Sequence, residues 1–254
     1  MSAVRPFVVT VAGHDPSGGA GLSADIKTLE CCGVMGLPVC SAITFQTEDQ
    51  CVGVAWVPEH QILLQLELVV RKYRPSVAKI GLVQSAEVLN ELVFHLKQWK
   101  PDIAIVWDPV LKSSSGFVFH RHWQPDLLHA LLRQCTLVTP NADEACALTG
   151  LADANQAAAQ LGAYTAVLVK SLEVDGYLFD LLAVGQEQHR LESEKLMGRA
   201  KHGSGCVLSS AIAAALAQGY PLLEACERGR AVVRAYLQSS ESLLGCFSEI
   251  HLSS

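Results

Sequence analysis

The stretch Phe7-Val8-Val9-Thr10-Val11-Ala12-Gly13-His14-Asp15-Pro16-Ser17-Gly18-Gly19-Ala20-Gly21 decides how the chain is read. It opens with an apolar run of strand length, passes through a glycine-rich turn, and leads into residues 21–32, whose apolar spacing is helical. That is a βα unit. Working outward, strand-length apolar runs occupy residues 39–45, 77–80, 103–106, 136–138 and 166–169, with helical stretches such as 85–99 and 123–133 between them. Such alternation predicts a mostly parallel sheet with helices on both faces. After Lys170 the rhythm changes: residues 177–184 and 189–194 flank Gly185-Gln186 as a hairpin, expected antiparallel at one edge of the sheet. Two amphipathic stretches, 205–218 and 221–238, close the chain. No repeat, charge block or low-complexity linker divides residues 1–254, so one domain is expected.

Composition narrows the function. Hydrophobic residues make up 50% and charged residues 17%, the balance of a chain with a large core rather than a disordered one. With 19 Lys+Arg against 25 Asp+Glu the net charge is −6, which argues against a nucleic-acid partner. No Cys-x-x-Cys pair occurs among the nine cysteines, and the eight other than Cys206 are scattered through apolar stretches, as small packing residues are. Nothing at the N-terminus has the pattern of a signal peptide, and the longest apolar run, near 211–216, is far short of the roughly 20 residues a membrane span requires. A reducing, cytoplasmic setting with no membrane partner is expected.

Four segments carry candidate chemistry. The tail of the first turn, Gly19-Ala20-Gly21-Leu22-Ser23-Ala24, formally matches a dinucleotide fingerprint, but the turn is longer than that motif, and no acidic residue ends the second strand, where Phe45-Gln46-Thr47 stands. Glycines that simply permit a tight loop are the alternative. A second glycine-rich segment, Lys201-His202-Gly203-Ser204-Gly205-Cys206, runs into the small-residue helix, where amide groups at a helix N-terminus would form an anion hole. Cys206 in that first turn is expected to have a lowered pKa and could serve as a base, or else be a small buried side chain. Thr139-Pro140-Asn141-Ala142-Asp143-Glu144 begins a helix: Asn141 and Glu144 fit a capping box, and their oxygens equally suit Mg²⁺ near phosphates. Asp108 in Trp107-Asp108-Pro109-Val110 sits at the C-terminal end of a strand, the edge where ligands bind in open α/β sheets, though a lone Asp there also suits a turn. His14, His202 and the other seven histidines show no metal-ligand spacing and are expected as polar loop or surface residues. Neither a Gly-x-Ser-x-Gly elbow nor a Walker A sequence occurs, which removes those hydrolase and P-loop classes.

The order and spacing of these pieces, together with Ala24-Asp25-Ile26-Lys27-Thr28, Lys79-Ile80-Gly81-Leu82 and Val169-Lys170, resemble the hydroxymethylpyrimidine and phosphomethylpyrimidine kinases of thiamine biosynthesis, in the ribokinase-like superfamily. The resemblance spans about residues 7–237. It implies a ribokinase-like three-layer α/β/α sandwich and ATP- and Mg²⁺-dependent phosphorylation of a hydroxymethyl group. By the same resemblance Gly13, Asp25 and Gln46 would contact the pyrimidine, with Leu82 and Val110 lining its pocket. Gly203, Ser204 and Gly205 would form the anion hole, Cys206 would stand at the base position, and Lys170 would meet the transferring phosphates. Asn141 and Glu144, with Asp108 nearby, would organise Mg²⁺ and its waters, and a homodimer is implied. The chain departs from the family pattern at Thr47-Glu48, at Ser171-Leu172-Glu173 where Gly-Gly-His is usual, and over residues 196–201. Pyridoxal or pyridoxine phosphorylation, a non-catalytic pyrimidine-binding protein and, from the fingerprint alone, a nicotinamide-dependent oxidoreductase are the competing readings.

Overall fold

The computed structural model describes residues 5–120, 125–174, 177–193 and 201–249. Its elements, in chain order, are β1 (Phe7–His14), α1 (Gly21–Cys31), β2 (Met35–Gln46), β3 (Cys51–Trp56), α2 (Glu59–Tyr73), β4 (Val77–Ile80), α3 (Ala86–Trp99) and β5 (Ala104–Trp107). There follow α4 (Pro125–Leu132), β6 (Leu137–Val138), α5 (Ala142–Thr149), α6 (Ala154–Gly162), β7 (Ala166–Val174), β8 (Tyr177–Val184), β9 (Glu187–Ser193), α7 (Ser204–Ala217) and α8 (Leu222–Gln238). The strands form one sheet in the order β3-β2-β1-β4-β5-β6-β7-β8-β9. From β2 to β7 every pairing is parallel; β3 at one edge and the β8–β9 hairpin at the other are antiparallel. The hairpin stands where the sequence places it.

Strand alternation sorts side chains into two layers. Val9 and Val11 of β1, Ala78 and Ile80 of β4, and Val167 and Val169 of β7 face one core, covered by α2 through α6. Val8, Val77, Val106 and Leu168 face the other, against α1, α7 and α8. The result is the expected α/β/α sandwich. In α7 every residue from Val207 to Ala215 is buried, which its run of small side chains allows. Gly229 lets α8 close onto it, since a Cβ there would fall 2.5 Å from Ile212 Cγ1.

Caps end several helices locally. Ser85 accepts the Val88 amide at the start of α3, and Asp153 accepts the Gln156 amide at the start of α6. Three elements, β3, α2 and α6, are additions to the sequence reading. β3 is a short, half-exposed edge containing Gly53, and α2 leaves Leu64 and Leu68 58% and 65% exposed, so its apolar residues trace no clean stripe. The first residues of the stretch 123–133, those before Pro125, and most of the departure over 196–201 lie outside the described residues. No disulfide joins the nine cysteines, and among the described residues no helix is long and apolar enough to cross a membrane.

Candidate active site

The chain leaves β1 towards β2 on one side and leaves β4 towards β5 on the other, so a crevice opens between these strands at their C-terminal ends. A cavity of about 500 Å³ occupies it. Gly13, Gln46, Leu82 and Val110 line one end, and Asp108, Lys170, Gly203, Ser204, Gly205 and Cys206 the other. Both glycine-rich turns are there for backbone proximity. A Cβ on Gly21 would sit 2.1 Å from Gly13 O, and one on Gly203 would sit 1.9 Å from Gly19 O; both residues have positive φ, 53° and 76°. The turn after β1 and the turn before α7 therefore touch, though they lie far apart in sequence.

At the charged end, Lys170 Nζ donates to Asp108 Oδ1 at 2.9 Å, and Thr139 and Ser209 hydroxyls donate to the same carboxylate at 3.1 and 3.3 Å. A Cβ on Gly205 would lie 3.3 Å from Lys170 Nζ, so the ammonium group presses against the first turn of α7. An ammonium and the positive end of a helix converge on one spot, an arrangement that attracts an anion. Burial works against charge on both partners. The Lys170 and Lys79 charges nevertheless hold Asp108 below its usual value, and the Asp108 and Glu144 carboxylates raise Lys170.

Asn141 and Glu144 make the capping box: Glu144 N–H donates to Asn141 Oδ1 and Asn141 N–H to Glu144 Oε2, each at 2.8 Å. Burial, with the neighbouring Asp108 carboxylate, raises the Glu144 pKa despite Lys170. Cys206 corrects an expectation. Burial pushes its thiol up to about 12 against the pull of Lys79, so the helix N-terminus does not produce a resting thiolate.

Asp25 is placed differently from the rest. It is fully buried and absent from the cavity wall: Lys79 Nζ donates to its oxygens at 3.0 and 2.9 Å, Thr10 Oγ1 at 2.6 Å and Ser210 Oγ at 2.8 Å. Lys79, to which the sequence reading gave no role, is the member of this group that reaches the cavity. The Asp25 and Asp108 carboxylates raise its pKa against the effect of burial. Thr47 and Glu48 lie beyond the wall, with the Thr47 hydroxyl turned to Asp49 at 2.6 Å.

His14 is exposed as expected, but His202 is not a surface residue. It is 5% exposed; Nε2 meets Asp15 Oδ2 at 2.9 Å, Nδ1 meets Ser114 Oγ, and its carbonyl accepts Tyr236 O–H at 2.8 Å. Burial would raise Asp15, yet hydrogen bonds from His202, Ser17 and Ala20 bring it down to about 2. This chain ties the first turn, the loop after β5 and the start of α7 together. Only the conspicuous polarity of His202 beside Gly203 could have signalled it.

A switch-point crevice that joins a small-molecule pocket to a lysine-and-helix anion site defines a ribokinase-like small-molecule kinase. The phosphomethylpyrimidine kinase family model matches residues 15–248. A hydroxymethylpyrimidine/phosphomethylpyrimidine kinase of Rhizobium meliloti is 34% identical over 251 residues, 93% of this chain and 92% of that protein. A bifunctional thiamine biosynthesis protein of Geobacter sulfurreducens is also 34% identical; the alignment takes in 94% of this chain, which spans only 50% of that longer protein. Among solved structures, a phosphomethylpyrimidine kinase from Clostridium difficile superposes with a TM-score of 0.75 at 32% identity, over 91% of this chain and 98% of that one. A Staphylococcus aureus pyridoxal kinase in complex with ADP gives 0.83 at 25% identity, over 98% and 95%. The chain belongs to the phosphomethylpyrimidine kinase family.

Proposed function

We propose that this chain, as one kinase domain, transfers the γ-phosphoryl group of ATP to the hydroxymethyl oxygen of 4-amino-5-hydroxymethyl-2-methylpyrimidine, to a phosphate oxygen of its monophosphate, or to both. The observation that carries the reading is the convergence of Lys170 and the first turn of α7 on one end of a cavity whose other end is lined by Gly13, Gln46, Leu82 and Val110 beside Lys79. The family's printed names support the substrate class.

In this reading the ring lies among Gly13, Gln46, Leu82 and Val110, and its hydroxymethyl oxygen points towards Cys206. The hydroxymethyl oxygen attacks the γ-phosphorus, the bond to the ADP oxygen breaks, and the hydroxyl proton passes late to an oxygen of the transferred phosphoryl group, as a loose transition state permits. Cys206, protonated at rest, positions that hydroxyl. Lys170 and the Gly203, Ser204 and Gly205 amides stabilise charge on the transferring group. Asp25 acts on the ring only through Lys79.

The oxygen-only set of Asp108 and Glu144 suits a hard cation, which keeps several waters and takes one or two carboxylates beside phosphates. Among the described residues no group of three His, Cys, Asp or Glu forms a cage, consistent with a metal carried on the nucleotide. Asp108 and Glu144 would hold Mg²⁺, with Asn141 fixing Glu144; the ion would neutralise phosphate charge. Pure protein with Mg²⁺ATP, offered the pyrimidine, its monophosphate and pyridoxal separately, tests the reading. Turnover with either pyrimidine is expected; turnover with pyridoxal alone would overturn the substrate assignment, and binding without turnover would overturn the kinase.

A further inference from the structure

Strand β7 leaves its ladder at one point. Val169 pairs with Leu181 and Leu172 with Phe179, so Lys170 and Ser171 together oppose Asp180. Val167, Val169 and then Leu172 share a core, so the alternation skips one residue here. A two-against-one bulge of this kind re-aims side chains beside active sites. Here its first residue is Lys170, the ammonium-bearing residue of the anion site.

The second bulge residue is strained. Ser171 has φ of 58°, a left-handed conformation in which an L side chain crowds the backbone; the one other non-glycine residue with positive φ among those described is Arg74, at the end of α2. A chain of bonds holds it. Ser171 N–H donates to Asp180 Oδ1 at 2.8 Å, and Arg230 Nε of α8 donates to Asp180 Oδ2 at 2.8 Å. Arg230 Nη2 in turn donates to the Leu191 and Glu192 carbonyls of β9 at 2.8 and 2.6 Å. Asp180 and Arg230 are largely covered, with side chains 13% and 18% exposed. On the other flank, Lys170 N–H is fixed to Pro140 O at 2.9 Å. Ser171, Asp180 and Arg230 also line a second cavity, of about 400 Å³, which shares Lys170, Ser204 and Gly205 with the first.

We propose that Asp180, braced by Arg230 and acting through the Ser171 amide, is a positioning residue for Lys170: it pins a strained bulge so that the ammonium group stands where the two cavities join. The proposal rests on the kinase reading above. Its consequence is specific. Glycine adopts this conformation without crowding, so glycine at 171 removes much of the need for the pin.

The experiment is a double-mutant cycle on the full chain. D180A in the natural chain is expected to lower kcat/KM for Mg²⁺ATP about thirtyfold, with pyrimidine affinity changed less than about twofold. In an S171G background the same D180A change is expected to cost less than about threefold. D180N, which keeps an acceptor for the Ser171 amide but loses the charge facing Arg230, should fall between, and it carries the comparison if D180A does not fold. Titration with the ATP analogue AMP-PCP should show the same dependence on background, and it judges the pin even if no substrate is turned over, an outcome that would count against the kinase reading instead. Equal losses in both backgrounds would overturn the proposal, because Asp180 would then act on the nucleotide or on folding. A loss of pyrimidine affinity as large as the loss of nucleotide affinity would overturn it as well.

Discussion

The two ends of the crevice are built by opposite means. The end near β1 and β4 rests on carboxylates sealed inside the protein, Asp25 bonded to Lys79 and Asp15 to His202, each side chain 4% exposed or less. The end near β7, β8 and α8 rests on pairs with at least one member reaching solvent, Lys170 at 14% exposed with the buried Asp108 and Arg230 at 18% with Asp180 at 13%, and on a strained bulge. Sealed pairs with every oxygen bonded make a rigid wall but cannot reorganise without leaving a buried charge. Partly exposed pairs can trade partners when a polyanion arrives. The difference suits a pocket that must hold one shape for a ring and a cleft that must admit and release phosphates.

The largest effect should come from breaking the sealed end. Lys79→Met leaves the Asp25 carboxylate buried without its cation, and a loss of about 3–5 kcal/mol is expected in urea unfolding. A loss under about 1 kcal/mol would erase the contrast. Next, Lys170→Met should lower kcat about 10²–10³-fold, because this ammonium works on transferring charge, and it should also lower the unfolding midpoint, since Asp108 is left buried without its nearest cation.

Acid titration sharpens the comparison at intermediate size. Asp15 has a folded pKa of about 2 against an ordinary 3.8, so its contribution, about 2 kcal/mol, is present above pH 4 and is lost as pH falls from about 4 to about 2. Asp15→Asn should flatten stability against pH over that window; an unchanged slope would remove Asp15 from the sealed network. The smallest effect is expected for Cys206→Ala, with kcat lowered about tenfold and pyrimidine affinity within about twofold. Equal losses in turnover and binding would show that the thiol supports the pocket rather than the transfer.

Much of the site was legible. The capping box of α5 is a local pattern, and both its bonds form between residues 141 and 144. The first turn, Asp108 at its strand end and the glycine start of α7 could be found because each joins a strand or loop to a helix, where local spacing carries the meaning. Three features were hidden for a common reason. Lys79 meets Asp25 across 54 residues and His202 meets Asp15 across 187, and nothing in either local segment marks the partner. Ser171 stands out in the sequence only as a departure where glycine is usual, and its strain and pin appear once Asp180 is seen opposite it.

The sequence by itself determined the alternation of strand and helix, the antiparallel hairpin and the two glycine turns, because hydrophobic period and backbone freedom are properties of neighbouring residues. The tertiary structure alone decided that Asp25 stands behind Lys79 and that burial raises the Cys206 thiol rather than lowering it. Those outcomes depend on burial and on charges brought together from distant segments, and both arise only when the sheet closes against its helices.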